Sequence, residues 1–402
     1  MLQYFAADFL YTENQVFHDC ALAVENGVIQ DVCPLPENAE VTRFPDCALI
    51  PGFVNSHTHS FQSLLKGVCD DTDFFTWRDQ GLYRYSQIMT QEDLYTGALF
   101  AFAEMLKNGI TTVCDFFYIN DQANDNAQAV IQAAKDLGIR MTLARTFYNW
   151  DGAPARFRET PEQAVENTLA LMQLYRDDPG VSIIPAPHSL HGASMEMIEA
   201  GAALAKDQGT PWHMHVAEGQ YERQMTLEKT GKSPIALLHR HGLLDGAMVG
   251  IHCVWLDESD IDLMGETGAR VSYNPSSNMF LGDGVTPIKA LVDAGICISL
   301  GTDGGCSNNR ASIIEEMRMT ALLQKSDTSR CLGAERRSGV FNGDRQWRRK
   351  FRTTVGKTCA RVCRRFCGGG SYGSVDATER PFWQKPGLRL TTLRDSGCLC
   401  GG

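Results

Sequence analysis

From Ala48 onward, short apolar runs alternate with longer stretches in which apolar positions recur every three or four residues. These are the two periods that mark strands and amphipathic helices. The short runs are ALIPGFVNSH, GITTVCDFF, IRMTLARTF, VSIIPAPHS, PWHMHVAE, MVGIHCVW, ARVSYNPSS and ICISLGTDG, and they carry polar residues at or near their ends. Between and after them the spacing predicts helices near 91–108, 124–137, 161–175, 194–208, 233–241, 257–266, 286–293 and 311–325. Thr160 before Pro161 reads as an N-cap with proline in the first helical turn. Eight strands alternating with eight helices have the pattern and size of an α/β chain folded as a (β/α)8 TIM-type barrel. A doubly wound open sheet is the structural alternative. Ahead of this unit, short strands near 5–10, 21–24 and 28–32, with a turn at Asn26-Gly27, predict a small β unit. The expected organisation is therefore the N-terminal part of a small, incomplete β-sandwich domain over 1–50, a barrel over 51–325, and an atypical tail over 326–402.

Composition narrows the classes. The chain has 402 residues, 43% of them hydrophobic and 21% charged, and no apolar run approaches the roughly 20 residues of a membrane span. The first residues lack a basic stretch before their apolar ones, so a cytoplasmic location is expected. The net charge of −11 hides a division: residues 1–329 hold 21 Lys and Arg against 43 Asp and Glu, whereas residues 330–402 hold 16 against 5. An acidic main body argues against a nucleic-acid partner. Eight of the 14 cysteines are scattered singly through the main body, as expected of reduced thiols. The tail holds 13 Arg, 12 Gly and six Cys but no Ile, Met or His, and no periodicity persists in it. We read it as the product of a reading-frame shift near Ser326, with a basic, disordered interaction segment as the alternative. The coding DNA decides, because a shift requires an alternate frame that continues the barrel pattern. Without returning strands, the small β unit is expected to expose edges and to favour aggregation.

The candidate chemistry lies where barrel strands end, which is where such folds place their sites. The first predicted strand ends in His57-Thr58-His59, the fourth in His188 with His191 close behind, and the fifth in His213-Met214-His215 with Glu218 beyond. His252 closes the sixth strand and Asp303 the eighth. Residues i and i+2 of a strand share a face, so His57 and His59 can both enter the barrel mouth. Two imidazoles, a third from another strand and one carboxylate suit Zn²⁺ or Fe²⁺ and leave a position for water. The metal brings the pKa of that water toward neutrality, and Glu218 stands where a proton shuttle is needed.

The strings PGFVNSHTHS, WHMHVAE, GIHCVW, YNPSSNMFLGDG and SLGTDGGCSNN resemble the metal-dependent amidohydrolase superfamily. They are most similar to its deaminase and chlorohydrolase branch, which includes cytosine deaminases and S-adenosylhomocysteine/methylthioadenosine deaminases. The resemblance implies metal ligands at His57, His59, His215 and Asp303. It also implies Glu218 as the proton shuttle to a ring or imino nitrogen, His252 as the group that orients the hydroxide, and Asp303 as the acceptor of the water's proton. His188 stands where binuclear members carry a carboxylated lysine or a glutamate, which implies one divalent metal ion. The resemblance further implies a small-molecule substrate, hydrolytic deamination of an amino-substituted heterocycle, and no membrane partner; a homo-oligomer stays open. Candidate substrate contacts are Trp77, Tyr118, Arg145, His188 and His191.

Two subgroups compete within that branch. TWRDQGLYRY, CDFFY and APHSL resemble formiminoglutamate deiminases, which have an arginine where this chain has His191. NPSSN, TDGGCSNN and EEMRMTALLQK resemble adenosine-type deaminases, which have a glutamate where this chain has Ser86. A formimino-amino-acid deiminase or a chlorohydrolase is therefore the alternative reaction, and a non-catalytic ligand-binding barrel is the alternative class. A GxSxG string at 369–373 lacks any later histidine to serve it, and HExxH, a P-loop and the HxE…PCxxC pattern are absent.

Overall fold

The structure is a computed structural model that describes residues 2–12 and 15–327, together with the backbone of Arg389–Leu390. The chain opens on β1 (Leu2–Tyr11), β2 (Val16–Phe17), β3 (Cys20–Glu25), β4 (Val28–Pro34) and β5 (Val41–Leu49). They form one sheet in the order β5-β1-β3-β4, with β2 paired to β1. Asn26 and Gly27 both take positive φ, 49° and 75°, in the turn between β3 and β4, a hairpin geometry for which Asn-Gly is the strongest short signal. Phe5, Leu10, Leu22, Val24 and Leu49 form a small core of their own.

The remaining strands are β6 (Phe53–Thr58), β7 (Ile110–Phe117), β8 (Arg140–Phe147), β9 (Val181–Pro187), β10 (Trp212–Val216), β11 (Met248–His252), β12 (Arg270–Tyr273) and β13 (Cys297–Leu300). They make two parallel four-stranded sheets, β6-β7-β8-β9 and β10-β11-β12-β13. Parallel neighbours need crossovers, and the helices supply them. Each strand is nearly or wholly buried, as expected when both faces of a parallel sheet are covered. The two sheets also meet edge to edge. His215 N–H donates to the His188 carbonyl at 3.0 Å, and the N–H groups of Thr302 and Asp303 both donate to the His57 carbonyl, at 3.1 and 3.0 Å. Gly301 permits the second approach, since a Cβ there would collide with Asn274 Oδ1 and lie 2.9 Å from His57 Cβ.

Several expectations need correction. ALIPGFVNSH is not one strand: Ala48 and Leu49 finish β5 in the small sheet, and Phe53 starts β6. Pro51, which has no N–H to give a ladder, falls in the break. The spacing also missed the helix Gln220–Thr230, which buries only Glu222 and Thr226 and so carries no apolar stripe. Equally invisible was the helical stretch from Phe74 to Ser86, whose middle, Trp77–Tyr83, is wound as a π-helix. Thr160 behaves as read, forming a capping box with Gln163 at the start of Pro161–Leu174. In the tail, Arg389–Leu390 pairs in parallel with Cys47 and Ala48 of β5 as β14; the other expectations for 328–402 lie outside the described residues.

Candidate functional site

The polar residues at the strand ends face one another across the two sheets. Asp303 Oδ1 lies 3.2 Å from His57 Nε2 and 3.4 Å from His59 Nε2. The His215 ring is 4.9 Å from that of His57 and 5.4 Å from that of His59, centroid to centroid. Donor atoms within 4.8 Å of one another define two overlapping triads, His57–His59–Asp303 and His57–His215–His252, which share His57. The expected four ligands are thus neighbours, and His252 stands among them.

Two of the imidazoles are aimed by their other nitrogen. His59 Nδ1 donates to the Phe116 carbonyl at 2.7 Å, and His215 Nδ1 to the His188 carbonyl at 3.0 Å. That tautomer leaves the Nε2 lone pair directed inward, the usual second-contact arrangement of a metal-binding histidine. His57 is fully buried, yet neither of its nitrogens has a well-directed hydrogen-bond partner. Burial drives the imidazoles toward the neutral form: His57 and His215 are pushed down, and His59 falls to about 3. Burial alone would raise Asp303, but His57, His252 and His59 override it and hold the carboxylate well below its ordinary value. Neutral imidazole lone pairs around an ionised carboxylate are a nitrogen and oxygen cage without a counter-charge. The residues present therefore fit a divalent cation.

The backbone pays for this convergence in strain. Ala217, His252, Cys253 and Asp303 adopt φ of 52°, 71°, 50° and 58°, a region L-residues avoid. Hydroxyls brace the carboxylate, with Ser277 Oγ donating to Asp303 Oδ2 at 2.5 Å and Ser307 Oγ at 3.1 Å. Glu218 Oε1 lies 3.2 Å from His252 Nε2, and His252 Nδ1 donates to Asn278 Oδ1 at 2.6 Å. Burial raises Glu218 above the ordinary carboxyl range, His252 draws it down, and Asp303 adds to the rise. Beneath Glu218, its own N–H donates to Glu222 Oε2 at 3.1 Å, and burial pushes Glu222 up to about 8. Ser277, Asn278 and Glu222 were not singled out from the sequence. Two of them lie in NPSSN, where the string itself was the available signal.

The expected substrate contacts divide. His188 stacks 5.0 Å from His215 and packs 4.3 Å from Tyr148, and its Nδ1 pairs with Ser189 Oγ at 2.9 Å. The Tyr118 ring is 5.3 Å from His59, with its hydroxyl accepting from Gln62 Nε2 at 2.8 Å. The Trp77 indole N–H donates to the Cys306 carbonyl at 2.9 Å, so that ring is oriented by the loop that follows Asp303. His191 meets His188 edge-on at 5.8 Å. Arg145 is different: its guanidinium is fully buried, forked onto both oxygens of Glu159 at 2.7 and 2.8 Å, with Nε on Asn124 Oδ1 at 2.9 Å. Its donors are satisfied within the protein by Glu159, Asn124 and the Ala123 carbonyl. Ser86 is fully buried and bonds its own helix at the Tyr83 carbonyl.

Comparison with known proteins agrees with this geometry. The Amidohydrolase family model matches residues 48–336. A 5-methylthioadenosine/S-adenosylhomocysteine deaminase of Desulfovibrio desulfuricans is 34% identical over 319 residues, which is 78% of this chain and 70% of that protein. A 5'-deoxyadenosine deaminase of Methanobrevibacter smithii is 32% identical over 76% of this chain and 68% of its own. Among solved structures, an adenosine deaminase of Xanthomonas campestris with bound zinc superposes with a TM-score of 0.77 at 29% identity, covering 85% of this chain and 80% of that one. An atrazine chlorohydrolase of Arthrobacter aurescens complexed with zinc shares the fold at 21% identity and the same TM-score, covering 96% and 90%. By sequence and by fold, the chain belongs to the amidohydrolase family, in the deaminase branch that hydrolyses carbon–nitrogen bonds other than peptide bonds.

Proposed function

We propose that the two parallel sheets close as an eight-stranded barrel around a single Zn²⁺ held by His57, His59, His215 and Asp303, and that this site deaminates an amino-substituted heterocycle. One observation carries the reading: His57, buried and without a hydrogen-bond partner on either nitrogen, sits between an ionised carboxylate and two imidazoles whose other nitrogens are tied to backbone carbonyls. When bound, the cation supplies the Lewis acidity that brings a water's pKa toward neutrality. Asp303, kept ionised by its imidazole neighbours, accepts one of the protons that this water gives up. Glu218, whose affinity for a proton burial raises, moves the water's first proton to the ring nitrogen, and the second, taken up by Asp303 as the water oxygen bonds to carbon, leaves with the departing amine as ammonia. His252, fixed by Asn278, holds its Nε2 beside Glu218 and toward the reacting carbon. His188 and Tyr118 lie against the ligand imidazoles and line the space that the ring would occupy.

The test joins metal analysis to an ammonia-release screen over purines, pyrimidines, pterins, triazines and formimino acids. About one zinc per chain is expected, with ammonia from at least one heterocycle. Glu218→Gln should keep the metal and lose roughly 10²–10⁴-fold in turnover. A chain without stoichiometric metal, or a fully active Glu218→Gln, overturns the proposal; chloride release without ammonia transfers it to the chlorohydrolase reaction.

A further inference from the structure

Three buried polar atoms near Glu218 have no hydrogen-bond partner and no part in the chemistry above: Asp283 Oδ2, Tyr221 Oη and His191 Nδ1. They arrive from three segments, after the helix Pro275–Phe280, at the start of Gln220–Thr230 and just beyond β9. Asp283 is only 6% exposed. Its backbone is pinned, with its N–H donating to the Asn278 carbonyl and its carbonyl accepting from the Trp255 indole, both at 2.8 Å. Asn278 is also the residue that fixes His252, so one turn sets both side chains. Asp283 lies within electrostatic reach of Glu218 and Asp303, and Tyr221 within reach of Glu218 and Asp283. The Tyr221 ring stacks on Phe74 at 5.0 Å and meets His191 edge-on at 5.5 Å. Asp283 and Tyr221 thus both lie within reach of Glu218, and His191 packs against Tyr221.

A buried acceptor left unpaired costs free energy, and a carboxyl costs most. Burial, with Glu218 and Asp303 beside it, pushes the Asp283 carboxyl well above its ordinary value, and its Oδ2 is still left without a partner in the packing. A donor that arrives with the ligand removes that cost, and a site built this way discriminates strongly against ligands lacking the donor.

We propose that Asp283, with Tyr221 and His191, is the specificity-determining face of the pocket, and that it recognises a planar amino-oxo heterocycle through adjacent N–H and C=O groups on the edge beyond the reacting carbon. Asp283 accepts the ring N–H, the Tyr221 hydroxyl donates to the C=O, and His191 Nδ1 meets the next polar atom along that edge. The favoured class is then the 2-amino-4-oxopyrimidine type, including fused rings with that edge. Rings whose edge offers only C–H and bare ring nitrogens are disfavoured. The inference rests on the deaminase reading and narrows its substrate.

The zinc-loaded full chain is assayed for ammonia release from isocytosine, guanine and pterin, and from 2-aminopyrimidine and adenosine. The amino-oxo rings are expected to be preferred. Asp283→Ala should keep the metal and lower the amino-oxo to 2-aminopyrimidine ratio of kcat/KM by about 10- to 100-fold, the scale of losing one buried hydrogen-bond partner. Asp283→Asn, which keeps an acceptor, should recover part of that ratio. If Asp283→Ala fails to fold, Tyr221→Phe, which preserves the ring stack, carries the same comparison. Preference for adenosine or 2-aminopyrimidine in the wild type, or equal losses on every substrate in the variants, overturns the inference while leaving the deaminase reading intact. Ammonia from other heterocycles but none of these rings overturns the inference alone, and ammonia from no heterocycle of the wider screen overturns the reading beneath it.

Discussion

Arg145 shows how a residue near a strand end can be engaged by the protein's own side chains. It lies in β8, two residues from the strand's end, close to where a substrate contact would stand, yet its guanidinium is closed onto Glu159, whose side chain is itself 6% exposed. A buried pair of this kind is weak support for stability as a pair, but removing one partner strands the other. Arg145→Met should therefore cost about 3–5 kcal/mol in urea denaturation. A cost below about 1 kcal/mol would mean that the fork is not intact in solution. His191 and Ser86 illustrate the reverse, since at each a change of residue type relative to better-known subgroups was legible in the chain. What was not legible is that His191 keeps a buried nitrogen unpaired while Ser86 turns into its own helix.

Among the elements, the helices with an apolar stripe were readable, and so were the strands. Gln91–Lys107, Pro161–Leu174 and Met195–Gln208 end within a residue or two of where their spacing and caps predict. The segments that failed are those shaped by tertiary contact: Gln220–Thr230 is held by what it presents to Glu218, and Phe74–Ser86 by aromatic packing against Tyr221 and the Cys306 loop. The last helix, Ile313–Asp327, buries Glu316, which accepts from Ser276 N–H at 3.1 Å and Asn308 Nδ2 at 2.9 Å. Burial raises Glu316 from its ordinary 4.5 to about 7. Its contribution to stability is then fully present below about pH 4.5 and is lost as pH rises through about 7. Glu316→Gln should flatten the part of the thermal-stability decline between those pH values. An unchanged Tm-versus-pH slope would show that Glu316 keeps its charge state on folding.

For the molecule as a whole, the candidate ligand cluster was legible because metal chemistry needs a small number of residue types, and those types gather at strand ends. The hydroxyls, amides and buried carboxyls that support them were not, because Ser277, Asn278, Glu222 and Asp283 look in sequence like any loop or helix polar residue. The donors come from β6, β10 and the segment after β13, which lie in both sheets. A cation bound there ties the start of the parallel unit to its end. A chelator should accordingly lower Tm for the whole unit, with metal at 100 times its Kd contributing about 2.7 kcal/mol. A local change in the loops without a shift in Tm would show that the sheets cohere without it.

The left-handed backbone at Ala217, His252, Cys253 and Asp303 has a consequence of its own. Glycine would relax any of these corners, but at His252 and Asp303 it would delete the side chain for which the corner exists. Restraint has to be imported from the packing around the strands, where Trp212, Met214, Ile251, Val271 and Tyr273 of β10, β11 and β12 are buried. Drift in that packing, in residues with no part in the chemistry, would then register first as imprecision at the strand ends, with the chain still folded and its ring of imidazoles slightly out of true.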